Sequence, residues 1–387
     1  MTPQNETLPL ILIVDDTPTN LTVLSEVLKA EYRIKVATNG LIALDIIRKD
    51  KPVLVLLDVM MPGLDGFEVC RRIKQQPESR DIQVIFITAK SNPVDEEEGL
   101  NLGAVDYITK PFSLPIIRTR VRNHVRLKRQ SDQLREKTDE LARKNEEMTQ
   151  DWKTAAMLQY QLFTGYHIPE FMKVAVCYLP HSYVSGDMFK IYTDASGLFS
   201  MFLGDSTGHG ISAALTTIMA DVLLTQKANA TPKEVMVYIN DELKAHLPSD
   251  RFMTAVLLKI RKDGLLILAN AGHPPIMILP ANGGEPVSLN SKNLMLGTFL
   301  TPEFNCEEYT YTLQPGDLGI IYTDGITERY NSEGKMFGKL RLSQFMQENR
   351  EMEVESLLET LLKQVKRFAE GRAQEDDMSA IVFRYVG

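Results

Sequence analysis

The sequence has few cysteines and no long apolar run. Its three cysteines, Cys70, Cys177 and Cys306, are far apart and odd in number, so they indicate neither a disulfide framework nor a zinc site. No apolar run approaches the roughly 20 residues that cross a bilayer. The N-terminus has neither the basic segment nor the cleavage-site pattern of a signal peptide. We therefore expect a protein of the reducing cytoplasm that does not enter the membrane.

An excess of positive charge is also missing. The net charge is −8 over 387 residues, which gives no reason to expect binding to nucleic acid or to an anionic membrane. The composition is that of a globular chain, with 44% hydrophobic and 24% charged residues. A chain of this length predicts about two to three domains.

Glycine and proline are absent from residues 118–153, where charged and amide side chains dominate. This composition predicts a helical linker over residues 118–163. Apolar residues recur every seven positions and form one seam of the helix: Leu127, Leu134, Leu141, Met148, Ala155 and Leu162. The second seam that a coiled coil needs is mostly polar: Ser131, Thr138, Asn145, Trp152 and Gln159. Two interpretations remain open, a weak parallel coiled coil that makes a homodimer or a single solvated helix.

Apolar strands alternate with amphipathic segments over residues 8–125. The predicted strands are Leu10–Val14, Tyr32–Thr38, Val53–Leu57, Val84–Thr88 and Val105–Ile108. Runs that are apolar throughout suit parallel strands covered on both faces, and five strand–helix repeats predict a small doubly wound α/β domain. Ligands bind at the carboxyl ends of such strands. We therefore expect the polar residues found there to converge, namely Asp15, Asp16, Asp58, Thr88 and Lys110.

These side chains suit the chemistry of phosphoryl transfer. Two or three carboxylates can hold Mg²⁺ and leave room for phosphate oxygens. Asp58 can act as a nucleophile toward a phosphoryl donor, and Lys110 can neutralise the acyl phosphate that forms. The Thr88 hydroxyl can donate a hydrogen bond to the same group.

Residues 8–125 resemble the receiver domain of response regulators. The resemblance implies a flavodoxin-like sheet of five parallel strands in the order 2-1-3-4-5. It implies that Asp58 accepts phosphate from a sensor histidine kinase or a small phosphodonor. It further implies a Mg²⁺ site formed by Asp15, Asp16, Asp58 and the Met60 carbonyl. Thr88 and Tyr107 would be the switch pair, and Lys110 would be the lysine that is invariant in this family.

The pattern becomes β-rich after Phe163. Strands are predicted at Lys173–Leu179, Leu198–Leu203, Thr254–Ile260, Leu265–Ala269, Ile276–Leu279, Leu318–Tyr322 and Ser379–Tyr385, and helices at Ile211–Lys227, Pro232–His246, Leu340–Gln347 and Val354–Phe368. Strand runs interrupted by paired helices predict an α+β domain over residues 170–387, with layered sheets forming a β-sandwich flanked by helices.

Four acidic clusters lie at the edges of these strands. They are Gly-Asp-Ser-Thr-Gly-His-Gly at 204–210, Ser-Gly-Asp at 185–187, Tyr-Thr-Asp-Gly at 322–325 and Asp-Asp-Met-Ser at 376–379. Two carboxylates about 4 Å apart repel each other by roughly 4 kcal/mol at an effective dielectric constant near 20. Divalent cations with oxygen ligands would remove this cost and create a site for phosphate chemistry.

These clusters, with Ala-Gly-His-Pro-Pro at 271–275, resemble the SpoIIE/RsbU-type branch of the protein phosphatase 2C (PPM) superfamily. The resemblance implies a metal-dependent serine/threonine phosphatase with a binuclear Mn²⁺ or Mg²⁺ centre. Asp205 would bridge both metals, the Ser206 carbonyl would bind one, and Asp187, Asp324 and Asp376 would complete the other, with Asp377 as an alternative ligand or a support behind the ligands. The phosphatase substrate typical of this branch is a phosphorylated anti-sigma-factor antagonist.

The first acidic motif departs from the family pattern, because Ser185 and Lys190 replace a glycine and a later aspartate. The general acid is unassigned, since His209 and His273 suit a structural role as well as a catalytic one. The leading hypothesis is an RssB-like architecture in which a receiver controls a phosphatase. The alternative is a non-enzymatic adaptor that binds a sigma factor or its regulators. A degraded diguanylate cyclase signature at 185–189 fits poorly, because its second acidic residue is missing.

Overall fold

The computed structural model describes residues 8–89, 93–290 and 293–387, with only the backbone described for residues 93–96. The chain divides into two compact units, Met1–Asn145 and Glu146–Gly387. No described helix is both long enough and apolar enough to cross a membrane.

The first unit is a five-stranded parallel sheet with helices on both faces. Its strands are β1 (Leu10–Val14), β2 (Arg33–Ala37), β3 (Leu54–Asp58), β4 (Gln83–Thr88) and β5 (Asp106–Thr109), in the order β2-β1-β3-β4-β5. Its helices are α1 (Pro18–Leu28), α2 (Gly40–Asp50), α3 (Gly66–Gln75), α4 (Pro93–Asn101) and the start of α5 (Leu114–Phe163). Strands β1 and β3 are buried at every position. The predicted flavodoxin-like order is confirmed.

The second unit is a sandwich of two five-stranded sheets. One sheet is β13-β10-β9-β8-β7, formed by Tyr309–Thr312, Leu265–Ala271, Met253–Ile260, Phe199–Ser206 and Asp187–Thr193. The other is β12-β11-β14-β15-β6, formed by Val287–Leu289, Ile276–Leu279, Leu318–Tyr322, Met378–Tyr385 and Met172–Leu179. The predicted β-sandwich is confirmed.

Helices cover both outer faces of this sandwich. They are α6 (Ile211–Gln226), α7 (Pro232–His246), the short α8 (Asp324–Thr327), α9 (Gly338–Glu348) and α10 (Val354–Phe368). Helix α7 begins with a capping box, in which the Thr231 side chain and Glu234 satisfy each other's backbone N–H groups, and a proline follows at the first helical turn. A buried ion pair also ties the structure together, because Lys259 Nζ lies 2.8 Å from Asp194 Oδ2.

Helix α5 covers the whole predicted linker and extends beyond it at the N-terminal end. Between residues 127 and 148 the apolar seam is uncovered, since Leu127, Leu134, Leu141 and Met148 are 54–67% exposed. Farther along, Gln159 is buried within the second unit. Both interpretations of the linker predicted a long helix, so the helix alone does not choose between them.

Three strands of the second unit were not predicted. Strand β7 contains Asp187 and Lys190 among its apolar residues, and β12 and β13 are short and partly polar. Their local sequences lack the continuous apolar character of the strands that were predicted. Pairing with neighbouring strands is what makes them β-structure.

Candidate functional site

The first candidate site lies at the carboxyl ends of β1, β3 and β5. Carboxylate oxygens of Asp15, Asp16 and Asp58 lie within 4.8 Å of one another. Asp15 and Asp58 are buried, whereas Asp16 is exposed. The convergence arises because β1 and β3 are adjacent parallel strands, so their carboxyl ends share one edge of the sheet. These residues are suitable ligands for Mg²⁺.

Lys110 connects two of these carboxylates. Its Nζ atom lies 2.9 Å from Asp15 Oδ2 and 2.7 Å from Asp58 Oδ2. Burial acts to lower the pKa of Lys110, but the hydrogen bonds that it donates to the two carboxylates raise its pKa above the ordinary value. Burial raises the pKa of Asp58, against the opposing effect of Lys110. Asn20, which we did not predict, donates its Nδ2 to both oxygens of Asp15 at 3.0 and 2.9 Å.

The remaining predicted receiver residues lie on the same strands or directly after them. Thr88 is buried and ends β4, and Tyr107 is in β5. The backbone N–H of Met60 donates to Asp58 Oδ1 at 3.3 Å. The structure therefore brings Asp58, Met60 and Lys110 into direct contact, as expected for a phosphoacceptor with its supporting lysine.

The second candidate site begins on two neighbouring antiparallel strands. Asp187, the first residue of β7, is directly opposite Asp205 near the end of β8. Ser206 ends β8, and its N–H donates to the Gly186 carbonyl at 2.9 Å. A Cβ atom at position 186 would lie 3.0 Å from the Ser206 carbonyl oxygen. Glycine at 186 thus lets the two acidic segments approach closely.

The opposite sheet supplies the other carboxylates. Asp324 begins α8 and is separated from the end of β14 by one residue, and Asp376 and Asp377 directly precede β15. Both oxygens of Asp377 accept backbone hydrogen bonds, from His181 N at 2.6 Å and from Gly186 N at 2.7 Å. Asp377 thus holds the segment before Asp187 in place. This arrangement favours Asp376 as the ligand and Asp377 as its support.

Thr323 joins the two sheets at the site. Its Oγ1 donates to Asp187 Oδ2 at 3.0 Å and accepts from Ser379 N at 2.9 Å. The side chain is fully buried. Thr323 belongs to a motif recognised in the sequence, yet its contact with Asp187 could not be predicted, because the two residues are 136 positions apart.

Burial and mutual repulsion perturb the acidity of these groups. Burial, followed by the charges of Asp187, Asp324, Asp376 and Asp377, raises the pKa of Asp205 to about 9. Burial raises the pKa of Asp187 well above its ordinary value and that of Asp324 to about 6. Within the described part of the chain, no lysine or arginine forms an ion pair with any of the five. Such an uncompensated all-oxygen donor set fits hard divalent cations.

The two sites differ in how tightly their ligand atoms are grouped. Among the residues that the structure describes, the receiver aspartates are the one set of three or more acidic, histidine or cysteine ligands within 4.8 Å of one another. The carboxylates of the second site are therefore more widely spaced.

The two histidines considered as general acids have different surroundings. His273 is buried, and its Nδ1 atom lies 2.9 Å from Thr254 Oγ1. Burial lowers the pKa of His273 to about 3, so the ring is neutral at physiological pH. His209, in contrast, is exposed. Lys190, which replaces the family's aspartate, forms a 2.7 Å ion pair with Asp221 of α6.

Family models match most of the described chain. The model "Response regulator receiver domain" matches residues 11–122, and the model "Stage II sporulation protein E (SpoIIE)" matches residues 195–386. The resemblance to both families is confirmed.

Curated relatives align over roughly the length of one domain. A Vibrio cholerae protein described as "Probable cyclic di-GMP phosphodiesterase" is 49% identical over 122 residues, covering 32% of this chain and 28% of that protein. "Response regulator PleD" of Caulobacter vibrioides is 44% identical over 128 residues, covering 33% of this chain and 28% of that protein. The chain thus matches less than a third of the length of these relatives.

Solved structures show the fold of the second unit. The PP2C domain of SiaA from Pseudomonas aeruginosa has a TM-score of 0.55 at 18% identity, covering 62% of this chain and 98% of that domain. The RsbU and RsbW domains of a Mycobacterium tuberculosis protein give a TM-score of 0.51 at 18% identity, covering 58% of this chain and 62% of that structure. At this identity the likeness establishes the fold alone.

Proposed function

We propose that this chain, in which a response regulator receiver domain precedes a SpoIIE-type PP2C domain, is a phosphorylation-controlled protein phosphatase. Its reaction would be the hydrolysis of phosphoserine or phosphothreonine on a protein. The observation that carries the proposal is the set of carboxylates around Asp205, whose charges act with burial to raise its pKa to about 9 and none of which pairs with a lysine or arginine among the described residues. Each ligand that the resemblance implies for the binuclear centre is present in the sequence, although Lys190 replaces a further aspartate of the family pattern.

The residues of the second site have distinct roles in this proposal. Asp205 would bridge two Mn²⁺ or Mg²⁺ ions, the Ser206 carbonyl would bind one, and Asp187, Asp324 and Asp376 would complete the other. When bound, the two ions would acidify a water molecule and neutralise charge on the phosphoryl oxygens. The protein's part is to hold these oxygen ligands in place. Thr323 fixes one oxygen of Asp187, and Asp377 fixes the backbone before it.

The receiver would regulate this reaction through Asp58. We propose that a sensor histidine kinase or a small phosphodonor phosphorylates Asp58 with Mg²⁺ held by Asp15, Asp16, Asp58 and the Met60 carbonyl. Lys110 already contacts the nucleophile at 2.7 Å. Thr88 and Tyr107 are proposed to be the switch pair that responds to the new phosphate group.

Three further parts of the proposal concern partners and location. The substrate would be a phosphorylated anti-sigma-factor antagonist, as is typical of the SpoIIE/RsbU branch.

Two chains would pair through the uncovered seam of α5. Its leucines are more than half exposed on one stripe of the helix, and a second helix that covers them would stabilise the pair. The location would be the cytoplasm, which agrees with three free, buried cysteines.

The catalytic proposal is tested with Asp205→Asn. We expect Mn²⁺-dependent release of phosphate from a phosphoserine protein to be lost, because the bridging carboxylate is removed while its shape is kept. Asp263→Asn, an exposed carboxylate on the β9–β10 turn of the same unit, is the matched control. Undiminished turnover by Asp205→Asn would contradict the assignment. Stoichiometric binding of a partner with no turnover by the wild type would favour the adaptor function.

Receiver control is tested with Asp58→Ala. Phosphatase rates of wild type and variant are compared with and without acetyl phosphate in the presence of Mg²⁺. We expect the phosphodonor to change the rate of the wild type and to leave that of the variant unchanged. Equal rates under all four conditions would refute control by Asp58.

A further inference from the structure

The glycine turn at residues 204–210 is covered by the segment that leads into β9. Thr207 N donates to the Phe252 carbonyl at 3.0 Å, and Phe252 N donates to Thr207 Oγ1 at 3.2 Å. Met253 is the strand partner of Ser206. The segment before β9 is therefore fixed against the residues that directly follow Asp205.

This segment places the guanidinium of Arg251 on the glycine turn. The Nη1 atom donates to the Thr207 carbonyl at 3.0 Å. A side chain at position 208 would overlap Nη1, and Gly208 has a φ of +87°. Glycine at 208 therefore meets two requirements, a left-handed backbone and space for the arginine.

Among the described residues, no acidic side chain forms an ion pair with Arg251. Its side chain is partly buried, and across the residues described its guanidinium has one hydrogen-bond partner, the Thr207 carbonyl. Arg261, by contrast, pairs with Asp263 at 2.5 Å, whereas Arg384 donates to backbone carbonyls. Within the part of the chain that the structure describes, Arg251 thus has N–H donors without a protein partner, and it is held by the carbonyl of Thr207, the residue that directly follows the Asp205–Ser206 pair of proposed metal ligands.

We propose that Arg251 binds the phosphoryl group of the substrate, and this inference rests on the proposed phosphatase function. A phosphate monoester dianion has three terminal oxygens, and metal ions would engage only some of them. The planar guanidinium can donate two parallel hydrogen bonds to the others. The Thr207 carbonyl fixes one N–H of the fork and so orients the rest. Arg251 then contributes to substrate affinity and leaves metal binding to the carboxylates.

The experiment measures inorganic phosphate, the reaction product, as a ligand. Calorimetric titration of phosphate into the Mn²⁺-loaded full-length protein is compared for wild type, Arg251→Ala and Arg251→Lys, with Arg261→Ala as a surface control. We expect Arg251→Ala to weaken phosphate binding by about 10- to 100-fold, the range for losing hydrogen bonds between charged groups. Arg251→Lys should recover part of it, because lysine keeps the charge but not the fork.

A separate titration with Mn²⁺ distinguishes an Arg251 that binds phosphate from one that only stabilises the glycine turn. If Arg251→Ala leaves Mn²⁺ affinity unchanged while phosphate binding falls, the inference is supported. Phosphate affinity within twofold of wild type would overturn it, as would an equal fall in Mn²⁺ affinity. A different result would contradict the proposed function alone. If the wild type binds phosphate through Arg251 but does not hydrolyse a phosphoserine protein, the anion site is supported and the phosphatase function is excluded.

Discussion

Removing divalent cations should make the second unit less stable as the pH rises. Burial and neighbouring carboxylates raise the pKa of Asp205 to about 9 in the folded, metal-free protein, whereas an unfolded aspartate titrates near 3.9. As the pH rises above the unfolded value, the unfolded chain releases this proton and the folded chain keeps it. Stability is therefore greatest below that value and falls until the pH passes about 9.

The proton on Asp205 sets the scale of the effect, and the raised pKa of Asp187 acts in the same direction. Each pH unit between the two pKa values costs about 1.4 kcal/mol for a single group, so a change from pH 6 to pH 8 should cost about 3 kcal/mol. For a unit of roughly 240 residues this corresponds to a fall in Tm of roughly 5–10 °C. Saturating Mn²⁺ should abolish the fall, because the ions hold the carboxylates in their charged form.

Fluorescence of Trp152 provides the assay. It is the single tryptophan and lies in the second unit beside Ile211 and Leu215 of α6. Thermal unfolding is followed in EDTA and in Mn²⁺ at pH 6 and pH 8, with Asp205→Asn as the variant that cannot titrate. We expect the pH effect in EDTA to be much smaller in the variant. Equal Tm values for wild type at both pH values in EDTA would refute the reasoning.

Thr323→Val should weaken Mn²⁺ binding by roughly tenfold, because it removes a hydroxyl that orients a proposed metal ligand. Thr323→Ser keeps the hydroxyl and should keep the Mn²⁺ affinity of the wild type. Equal calorimetric affinities for all three proteins would contradict this role. Gly325→Ala should destabilise the second unit by about 1–3 kcal/mol, because the new Cβ would overlap the Asp377 carbonyl oxygen; an unchanged Tm would exclude this. Lys259→Met should cost about 3–5 kcal/mol, since it leaves a buried carboxylate unpaired. Urea unfolding measures the loss against exposed Lys262→Met, and equal midpoints would argue against it.

Much of the receiver fold could be predicted from local sequence. Strand β1 was predicted with its observed bounds, and the other four strands of the sheet to within one residue at each end. The apolar runs of β1, β3 and β4 are decisive because these strands are buried on both faces. The convergence of Asp15, Asp16 and Asp58 could also be predicted, since parallel strands bring their carboxyl ends to one edge of the sheet. Asn20 was missed, because an asparagine in a first helical turn has no pattern that predicts its partner.

The second site was predicted less completely. Its motifs were recognisable in the sequence. Strand β7 was nevertheless not predicted, even though its first residue is the proposed ligand Asp187. An antiparallel edge strand with polar residues is defined by its neighbour rather than by its own sequence. The roles of Thr323 and Asp377 depend on contacts across 136 and 191 positions.

Local sequence was enough to predict the order of the domains, the acidic motifs and the long helix between the domains. Each of these depends on residues that are near one another in the chain. The tertiary structure adds that both oxygens of Asp377 accept backbone N–H groups from a distant segment, a contact that local sequence does not encode. It likewise brought Arg251 to the glycine turn, since the pairing of β8 with β9 sets that contact.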